Sequence, residues 1–333
     1  PNLYLVIPKS APLLVEEYIY VGADDGSFFC LNSLTGSIVW KYKIQFGSKG
    51  KNIFSSSAVY KDKVIFGAYD GNVYCLDRFT GKREWVFLEA DWVGSSPYLD
   101  DMNGVVYIGL EFGLFKKQGG VVAIDVLSGK ILWKNYTMEG FTHASPVYSK
   151  KYSIIVCGCN DTVIYGFNAK NGDIIWKLKT EGAVKYGAVF IENMELVAVP
   201  SMDGKVYVIN IKDGSLYHAF EAKAGFYSTP AVKDIFIFIG SLDKNIYCFN
   251  LVSKKTEWVF ETNGRVFASP LVDKQSLFIG SNDGCLYEID TDNGRLISRT
   301  QFSERIVSKV QVVHSSENKK IVYVPTHVCE LYK

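Results

Sequence analysis

A short phrase recurs along this chain and places five of its six tryptophans at the same position. Each full copy starts with a small residue, passes through Asn or Asp to a Gly turn and ends on Trp. The full copies run from Cys30 to Trp40, Cys75 to Trp85, Ala123 to Trp133 and Gly166 to Trp176, and degenerate copies run from Val208 to His218, Cys248 to Trp258 and Glu288 to Ser298. A repeat of this kind indicates the fold before any single residue can be interpreted, because each unit buries its apolar face only against its neighbours.

Each phrase follows a run of β-branched and aromatic residues that ends in a turn, several of them Asp-Gly turns typical of β-hairpins. A Ser-Pro or Thr-Pro pair precedes that run in four copies. One unit therefore predicts four antiparallel strands, A to D. The residue that closes strand B recurs at intervals of about 40 to 50 residues, at Gly22, Gly67, Gly109, Gly158, Pro200, Gly240, Gly280 and Pro325.

We therefore expect an all-β fold, a single eight-bladed β-propeller of four-stranded antiparallel blades that spans residues 1–333. The last copy lacks a strand D, and residues 2–7 form an orphan strand, so the N-terminal strand is expected to close the last blade. The predicted blades cover residues 10–45, 55–89, 94–136, 143–180, 186–221, 227–262, 267–301, and 305–333 with 1–8.

The spacing of Asp or Asn, Thr-Gly and Trp resembles the repeat of PQQ-like, quinoprotein-type β-propellers, and the resemblance covers essentially the whole chain. It implies that the repeated tryptophans dock neighbouring blades: Trp40, Trp85, Trp133, Trp176 and Trp258. Proteins with this repeat include quinone-dependent dehydrogenases, an outer-membrane assembly lipoprotein and, as a C-terminal domain, adenylate-forming enzymes that activate β-alanine. Because one fold carries several functions, the function has to be argued from individual sites.

Composition excludes several classes of function. A net charge of +1 without long basic runs argues against nucleic-acid binding, and no apolar stretch is long enough for a membrane span. The chain starts at Pro without a signal-peptide pattern, which favours an excised domain. Seven cysteines without a pairing pattern favour free thiols and a cytoplasmic location, although two glycosylation sequons, at Asn135 and Asn160, point weakly the other way.

No catalytic residue, metal site or cofactor is expected. Quinoproteins resemble one another in a vicinal Cys-Cys pair, and this chain has no adjacent cysteines. The four histidines lack ligand spacing, and the acidic turns are explained by turn geometry alone.

Two connections depart from the repeat and are expected to lie on one face of the propeller. They are the basic loop at 44–53 and the segment from Glu111 to Gly119, which replaces a tight turn. With the residues that precede strand A, they predict an aromatic and cationic rim. Its members are Trp92, Glu111, Phe112, Phe115, Lys116, Lys117, Phe141, His143, Lys185, Tyr186, Phe226, Tyr227, Arg265 and Arg305. The alternative is that these side chains merely fill the channel. The opposite face, with short Thr-Gly turns, is expected to expose little apolar area.

The sequence thus predicts a non-enzymatic protein-interaction or scaffold propeller, a domain of a larger intracellular protein, with a protein or peptide partner. A peptide or small-ligand sensor that uses the central funnel is the alternative, and a quinone-dependent dehydrogenase is the third possibility.

Overall fold

A computed structural model describes residues 10–44, 52–314, 320–326 and 331–332. The chain divides into two compact units. The N-terminal unit contains the described residues up to 179 together with 183–185, and the C-terminal unit contains 180–182 and the described residues from 186 onwards. The predicted N-terminal strand at 2–7, most of the predicted basic loop at 44–53 and Cys329 lie outside the described residues.

The N-terminal unit consists of four sheets, blades 1 to 4, each with four antiparallel strands that pair in chain order. Blade 1 comprises β1 Leu13–Val15, β2 Tyr18–Gly22, β3 Ser27–Asn32 and β4 Ile38–Lys43. Blade 2 comprises β5 Ala58–Tyr60, β6 Lys63–Gly67, β7 Asn72–Asp77 and β8 Arg83–Leu88. Blade 3 comprises β9 Tyr98–Asp100, β10 Val105–Phe112, β11 Gln118–Asp125 and β12 Ile131–Met138. Blade 4 comprises β13 Val147–Ser149, β14 Ile154–Gly158, β15 Val163–Asn168 and β16 Ile174–Lys179.

The C-terminal unit contains three further four-stranded sheets, blades 5 to 7, and one three-stranded sheet. Blade 5 comprises β17 Val189–Ile191, a 3-10 helix at Glu192–Met194, β18 Leu196–Pro200, β19 Lys205–Asn210 and β20 Leu216–Glu221. Blade 6 comprises β21 Ala231–Lys233, β22 Phe236–Gly240, β23 Asn245–Asn250 and β24 Lys255–Glu261. Blade 7 comprises β25 Leu271–Asp273, β26 Ser276–Gly280, β27 Cys285–Asp290 and β28 Leu296–Gln301. The three-stranded sheet comprises β29 Gln311–His314, β30 Lys320–Pro325 and β31 Leu331–Tyr332.

The prediction of eight four-stranded blades, with the last closed by the N-terminal strand, is wrong. Seven four-stranded sheets form, the last sheet has three strands, and no sheet of the described residues is closed. The physical reason lies in the last copy of the repeat. It contains no counterpart of the repeated phrase that leads into the fourth strand of the complete blades, such as β4 Ile38–Lys43 in blade 1.

Within each unit, the apolar core lies between consecutive sheets. One cluster joins blades 1 and 2 around Tyr20 and Phe66, and another joins blades 3 and 4 around Tyr107 and Phe167. In the C-terminal unit, Phe249 belongs to the cluster between blades 5 and 6. The two middle strands of a blade are buried almost throughout, whereas the fourth alternates, as in β4, because its outward side chains face solvent.

The repeated phrase explains how neighbouring blades attach to each other. The indole N–H of Trp40 donates to the carbonyl of Arg78 at 2.9 Å, and its ring lies against Gly81 in blade 2. Gly81 has a φ of +70°, and a Cβ there would lie 2.7 Å from Trp40 Cδ2. Both the turn conformation and the ring contact therefore require glycine at this position.

The same arrangement recurs along the chain within each unit. The indoles of Trp85, Trp133 and Trp258 donate to Val126, Ala169 and Thr291 in the following blade. In blade 5, where the phrase ends on His218, the hydroxyl of Tyr217 donates instead to Leu251 at 3.1 Å. A tyrosine one residue earlier thus supplies the bond that a tryptophan supplies elsewhere.

Candidate functional site

The predicted rim residues fall into two groups, one in each unit. Those from Trp92 to Lys185 belong to the N-terminal unit, and Tyr186, Phe226, Tyr227, Arg265 and Arg305 belong to the C-terminal unit. The structure brings most of the first group together around one hairpin of blade 3.

The hairpin of β10 and β11 is the longest in the described part of the chain. Both strands have eight residues, whereas the corresponding strands of blade 2 have five and six. At its tip, Leu114 is 65% exposed and Phe115 is 103% exposed, and Lys116 and Lys117 are exposed beside them. Two adjacent apolar side chains therefore project into solvent next to two cations.

The end of this hairpin next to its turn is joined to the loop that precedes strand β9. The backbones of Trp92 and Glu111 exchange hydrogen bonds of 3.1 and 3.0 Å, which form an isolated antiparallel bridge. The Asp91 carboxylate accepts hydrogen bonds from the backbone N–H groups of Gly113 and Leu114, at 2.7 and 2.9 Å. The tip is thus held by backbone contacts and does not depend on its own exposed side chains.

Trp92 and Phe141 form an aromatic floor beneath the hairpin. Their rings pack edge to face with centroids 5.8 Å apart, and both side chains are half-buried. A Cβ at Gly113 would lie 2.5 Å from Trp92 Cζ3, so the hairpin backbone rests directly on the indole. The Lys117 ammonium lies 5.2 Å from the centre of the Phe141 ring, in a cation–π contact. The hairpin therefore covers part of the surface that the sequence assigned to the rim.

The opposite side of the hairpin is held by Phe112, which packs on Tyr136 of β12 at 4.8 Å between ring centroids. The Tyr136 hydroxyl donates to the Glu89 carboxylate at 2.9 Å, and burial raises the pKa of this tyrosine. Lys134 also pairs with Glu89. Tyr136 and Glu89 were not among the predicted rim residues; Tyr136 lies on β12, which has eight residues like the two strands of the hairpin.

Glu111 and His143 meet below the aromatic floor. His143 Nδ1 lies 2.8 Å from Glu111 Oε1, and their side chains are 15% and 1% exposed. The two atoms are close but not aligned for a hydrogen bond, and neither has another hydrogen-bond partner among the described residues. A Cβ at Gly94 would lie 3.0 Å from Oε1 and 3.3 Å from Nδ1, so glycine makes room for the pair.

The second group of predicted residues forms an aromatic cluster in the C-terminal unit. Tyr186 and Tyr227 pack at 4.5 Å between ring centroids, and Tyr227 packs on Phe267 at 5.3 Å. Burial raises the pKa of both tyrosines. Phe226 is buried and Arg265 is exposed. Tyr186, Tyr227 and Phe267 thus pack on one another, whereas Phe226 packs on Tyr247.

The aspartates of the acidic turns, predicted to serve turn geometry alone, have a second role in the structure. In blade 4, the Asp161 carboxylate accepts a hydrogen bond of 2.6 Å from the Tyr165 hydroxyl. It accepts another, of 3.0 Å, from the backbone N–H of Glu139 in the preceding loop. The same bonds recur in the C-terminal unit, where Asp203 accepts from Tyr207 and Glu181. An aspartate followed by a tyrosine four residues later is the sequence signal for this clamp.

The expectation that the Thr-Gly end of the blades offers little apolar area is wrong. The turns are short, but Leu34 is 67% exposed, Phe79 46%, Leu127 57% and Val252 63%. These side chains occur singly, one per turn, because the third position of each turn points outward. Single exposed apolar residues are common on protein surfaces and do not mark a site by themselves.

Six cysteines lie in the described residues, and all are free and buried. Burial raises the pKa of Cys75 to about 12, so its thiol stays protonated and unreactive at neutral pH. The Asn135 amide of the first sequon donates to the Gly172 carbonyl at 2.7 Å, which engages the nitrogen that a glycan would occupy. The described residues contain no group of three or more potential metal ligands. They also contain no helix with the length and apolar character needed to cross a membrane.

Four-stranded antiparallel sheets docked by a repeated tryptophan define a β-propeller of the PQQ-like repeat class. The chain belongs to the family described as "Outer membrane protein assembly factor BamB", whose profile matches residues 2–135 and 90–295.

Two curated relatives are similar to part of the chain. The beta-alanine-activating enzyme of Danio rerio is 30% identical over 97 residues, which are 27% of this chain and 8% of that protein. The enzyme of the same name from Homo sapiens is 32% identical over 102 residues, 29% of this chain and 9% of that protein. The matched region is thus a small part of each relative.

Solved structures show the same fold at low sequence identity. The computationally designed Ika8 protein has a TM-score of 0.81 at 16% identity, with 98% of this chain and 95% of that chain covered. A europium-containing methanol dehydrogenase has a TM-score of 0.78 at 14% identity, with 94% and 81% covered. BamB from Moraxella catarrhalis has a TM-score of 0.77 at 14% identity, with 97% and 95% covered. A design, an enzyme and an assembly factor share this architecture, so the fold does not select a function.

Proposed function

We propose that this chain is a non-enzymatic propeller that docks a protein or peptide partner through the tip of the blade 3 hairpin. The observation that carries the proposal is the pair of adjacent, solvent-exposed apolar side chains, Leu114 and Phe115, at the turn of a hairpin that is hydrogen-bonded to the Asp91 carboxylate. Aromatic residues on a preorganised surface are the usual anchors of protein interfaces, since little side-chain entropy is lost when they are buried.

The chemistry of the tip indicates the kind of partner. Leu114 and Phe115 offer apolar area, and Lys116 and Lys117 place two positive charges next to it. A segment that presents an apolar pocket flanked by Asp or Glu would complement both features. Adjacent exposed apolar pairs with nearby cations also occur at the start of fourth strands, as at Ile38 and Val39 or Ile131 and Leu132, but those lie within a paired strand and not at a protruding tip.

The proposal includes two wider statements about context. The propeller serves as one domain of a larger protein, because both curated relatives are far longer than the region they share with it. It works in a reducing compartment, because the six described cysteines are unpaired.

Site-specific photocrosslinking tests the docking element. A photoreactive phenylalanine analogue is placed at position 114 or, as the matched control, at Leu127, which has a similar exposure of 57%. In a lysate we expect a discrete adduct from position 114 that disappears in the Phe115→Ala and Lys116→Glu backgrounds. Equal adducts from both positions, or an adduct at 114 that survives both substitutions, would contradict the proposal.

A second experiment addresses the dehydrogenase alternative. Calorimetric titration with PQQ in the presence of calcium should give no saturable heat, because Cys157 and Cys159 are not adjacent and both are buried. Stoichiometric binding at micromolar or lower concentration would overturn the non-enzymatic assignment.

A further inference from the structure

The fourth strand of blade 7, β28, is not covered by the rest of the described chain. In blades 1 to 6, the fourth strand buries at least part of the residue at the tryptophan position, as β4 does with Trp40. In β28 all six side chains are exposed to solvent. Ser298 stands at the tryptophan position, and its hydroxyl donates to Glu288 of the same blade at 2.8 Å. Among the described residues, β28 therefore lacks the side-chain contact with the next sheet that Trp40 makes in blade 1.

The inner strands of blade 7 hold the last, three-stranded sheet instead. Glu288 on β27 pairs with Lys320 on β30, and Asp273 on β25 pairs with His314 on β29. The apolar cluster at this junction includes Phe278 on β26. In the part of the chain that the structure describes, the last sheet is thus attached through the three inner strands, and the side chains of β28 stay open to solvent.

One edge of β28 is also unpaired. Blade 7 has the strand order β25, β26, β27, β28, so within the described residues β28 pairs with β27 only. The opposite edge presents backbone N–H and C=O groups to which a further strand can bond. Leu296 and Ile297 are 48% and 52% exposed, so a strand added at this edge would cover apolar area as well.

The charge of this edge is positive. Arg295, which precedes β28, and Arg299 within it are exposed, and neither guanidinium pairs with another described residue. β28 itself contains no acidic residue. The acidic groups of β27 are already engaged, Glu288 with Lys320 and two serine hydroxyls, and Asp290 with the backbone of its own turn. The two arginines are thus available to an external carboxylate.

We propose that β28 is a docking edge that receives an extended acidic segment of a partner protein as an additional β-strand. Backbone hydrogen bonds along the free edge attach the segment, and Arg295 and Arg299 select one that carries Asp or Glu. The same charges disfavour pairing with β28 of a second copy, because arginines of both copies would then lie next to each other. This edge belongs to the C-terminal unit, whereas the blade 3 tip belongs to the N-terminal unit, so the two docking proposals hold or fail independently.

Fluorescence anisotropy of a labelled synthetic peptide of alternating Glu and Val measures binding to the full chain at low ionic strength. We expect saturable binding that Arg299→Glu weakens about fivefold or more, since like charges on neighbouring strands repel each other. Lys177→Glu is the matched control, because Lys177 on β16 and Arg299 on β28 each lie opposite a tyrosine of the third strand. Lys177→Glu and, at the blade 3 tip, Lys116→Glu should bind the peptide as wild type does. No saturable binding to wild type, or an equal loss in either control variant, would overturn the proposal.

Hydrogen exchange distinguishes an added strand from a contact between charges alone. Saturating peptide should increase the amide protection of segment 296–301 and leave that of segment 174–179 in β16 unchanged. A peptide of the same sequence with every backbone nitrogen methylated keeps its carboxylates but cannot donate hydrogen bonds, so its saturable binding should be lost. Equal binding of the two peptides, or unchanged protection of segment 296–301, would show that no strand is added. Wild type gives this result by itself, so it does not depend on how any variant folds.

Discussion

In blades 3 and 4, the hairpin of the two middle strands is hydrogen-bonded to the preceding loop, but the aspartate lies on opposite sides of that contact. In blade 4, the aspartate lies in the tight turn between β14 and β15, and Asp161 accepts the N–H of Glu139 from the preceding loop. In blade 3, the aspartate lies in the preceding loop, and Asp91 accepts N–H groups of the hairpin tip. In both cases a carboxylate ties the loop to the hairpin. Because the aspartate of blade 3 lies in the loop, the hairpin turn of that blade does not need an aspartate and carries other residues instead.

This difference separates the regular framework from the one hairpin that departs from it among the described blades. The turn of blade 4 is short because its aspartate already bonds the backbone of Val163, the Tyr165 hydroxyl and the neighbouring loop. The blade 3 hairpin needs an external support, and Trp92, Phe141 and Tyr136 supply it. Leu114 and Phe115 at its tip are consequently left exposed to solvent, and loops on a fixed framework are where binding residues often lie.

The largest expected effect distinguishes a framework tryptophan from the exposed tip. Trp133→Ala removes a buried ring and its bond to Ala169, and should lower the free energy of unfolding by about 3–5 kcal/mol. Phe115→Ala removes a fully exposed ring and should change it by less than about 0.5 kcal/mol. Denaturant unfolding measures both. A loss above about 1 kcal/mol in Phe115→Ala would show that the tip is part of the framework.

The second prediction compares the two aspartates. Asp161→Ala removes bonds to a buried tyrosine and to the neighbouring loop, and should cost about 1–3 kcal/mol of global stability. Asp91→Ala should cost less, about 1 kcal/mol, but should increase amide exchange at positions 113 and 114. Unfolding curves and hydrogen exchange are measured on both variants. Equal global losses with no local change in exchange would mean that the reversed contact has the same role as the regular one.

The third prediction concerns the aromatic floor. Trp92→Ala should lower the free energy of unfolding by about 1–2 kcal/mol, less than Trp133→Ala, because the indole is half-buried and its ring contacts Tyr69, Gly113 and Phe141 in loops and turns. Thermal and denaturant unfolding compare the two variants. If their losses were equal, Trp92 would belong to the core of the blade, and the separation of the hairpin from the framework would fail.

Sequence patterns were sufficient for the framework because the repeat fixes it several times over. The phrase that ends on Trp40 or Trp133 specifies a strand, a turn and a contact with the next blade, and each copy supports the others. The prediction failed at the end of the repeat, where the last copy lacks that phrase and a three-stranded sheet forms. The repeat period shows where a fourth strand is missing, but it does not show whether another segment of the chain pairs at that position.

The site was only partly predictable for a related reason. The departure from the repeat between Glu111 and Gly119 was visible in the sequence and marked the hairpin. The contacts beside its turn were not, because Glu111 and His143 are far apart in the chain and meet only where Gly94 leaves space. The support of the hairpin by Tyr136 is likewise a packing effect that no local spacing encodes.

The smallest expected effect belongs to an exposed turn of the regular framework. Bonds from Lys43 and Ser27 outweigh desolvation and lower the pKa of Asp25 to about 2. Because the pKa of Asp25 is lower in the folded chain than in the unfolded chain, where it is about 3.9, ionised Asp25 stabilises the fold at any pH above that value. This stabilisation is lost as the pH falls through about 2. The Asp25 side chain is 58% exposed, so solvent screening should limit Asp25→Asn to about 0.5–1 kcal/mol at neutral pH. Urea unfolding of wild type and variant should converge between about pH 4 and pH 2, and salt should reduce the difference at neutral pH. A difference that persists below pH 2 would mean that the carboxylate charge is not its source.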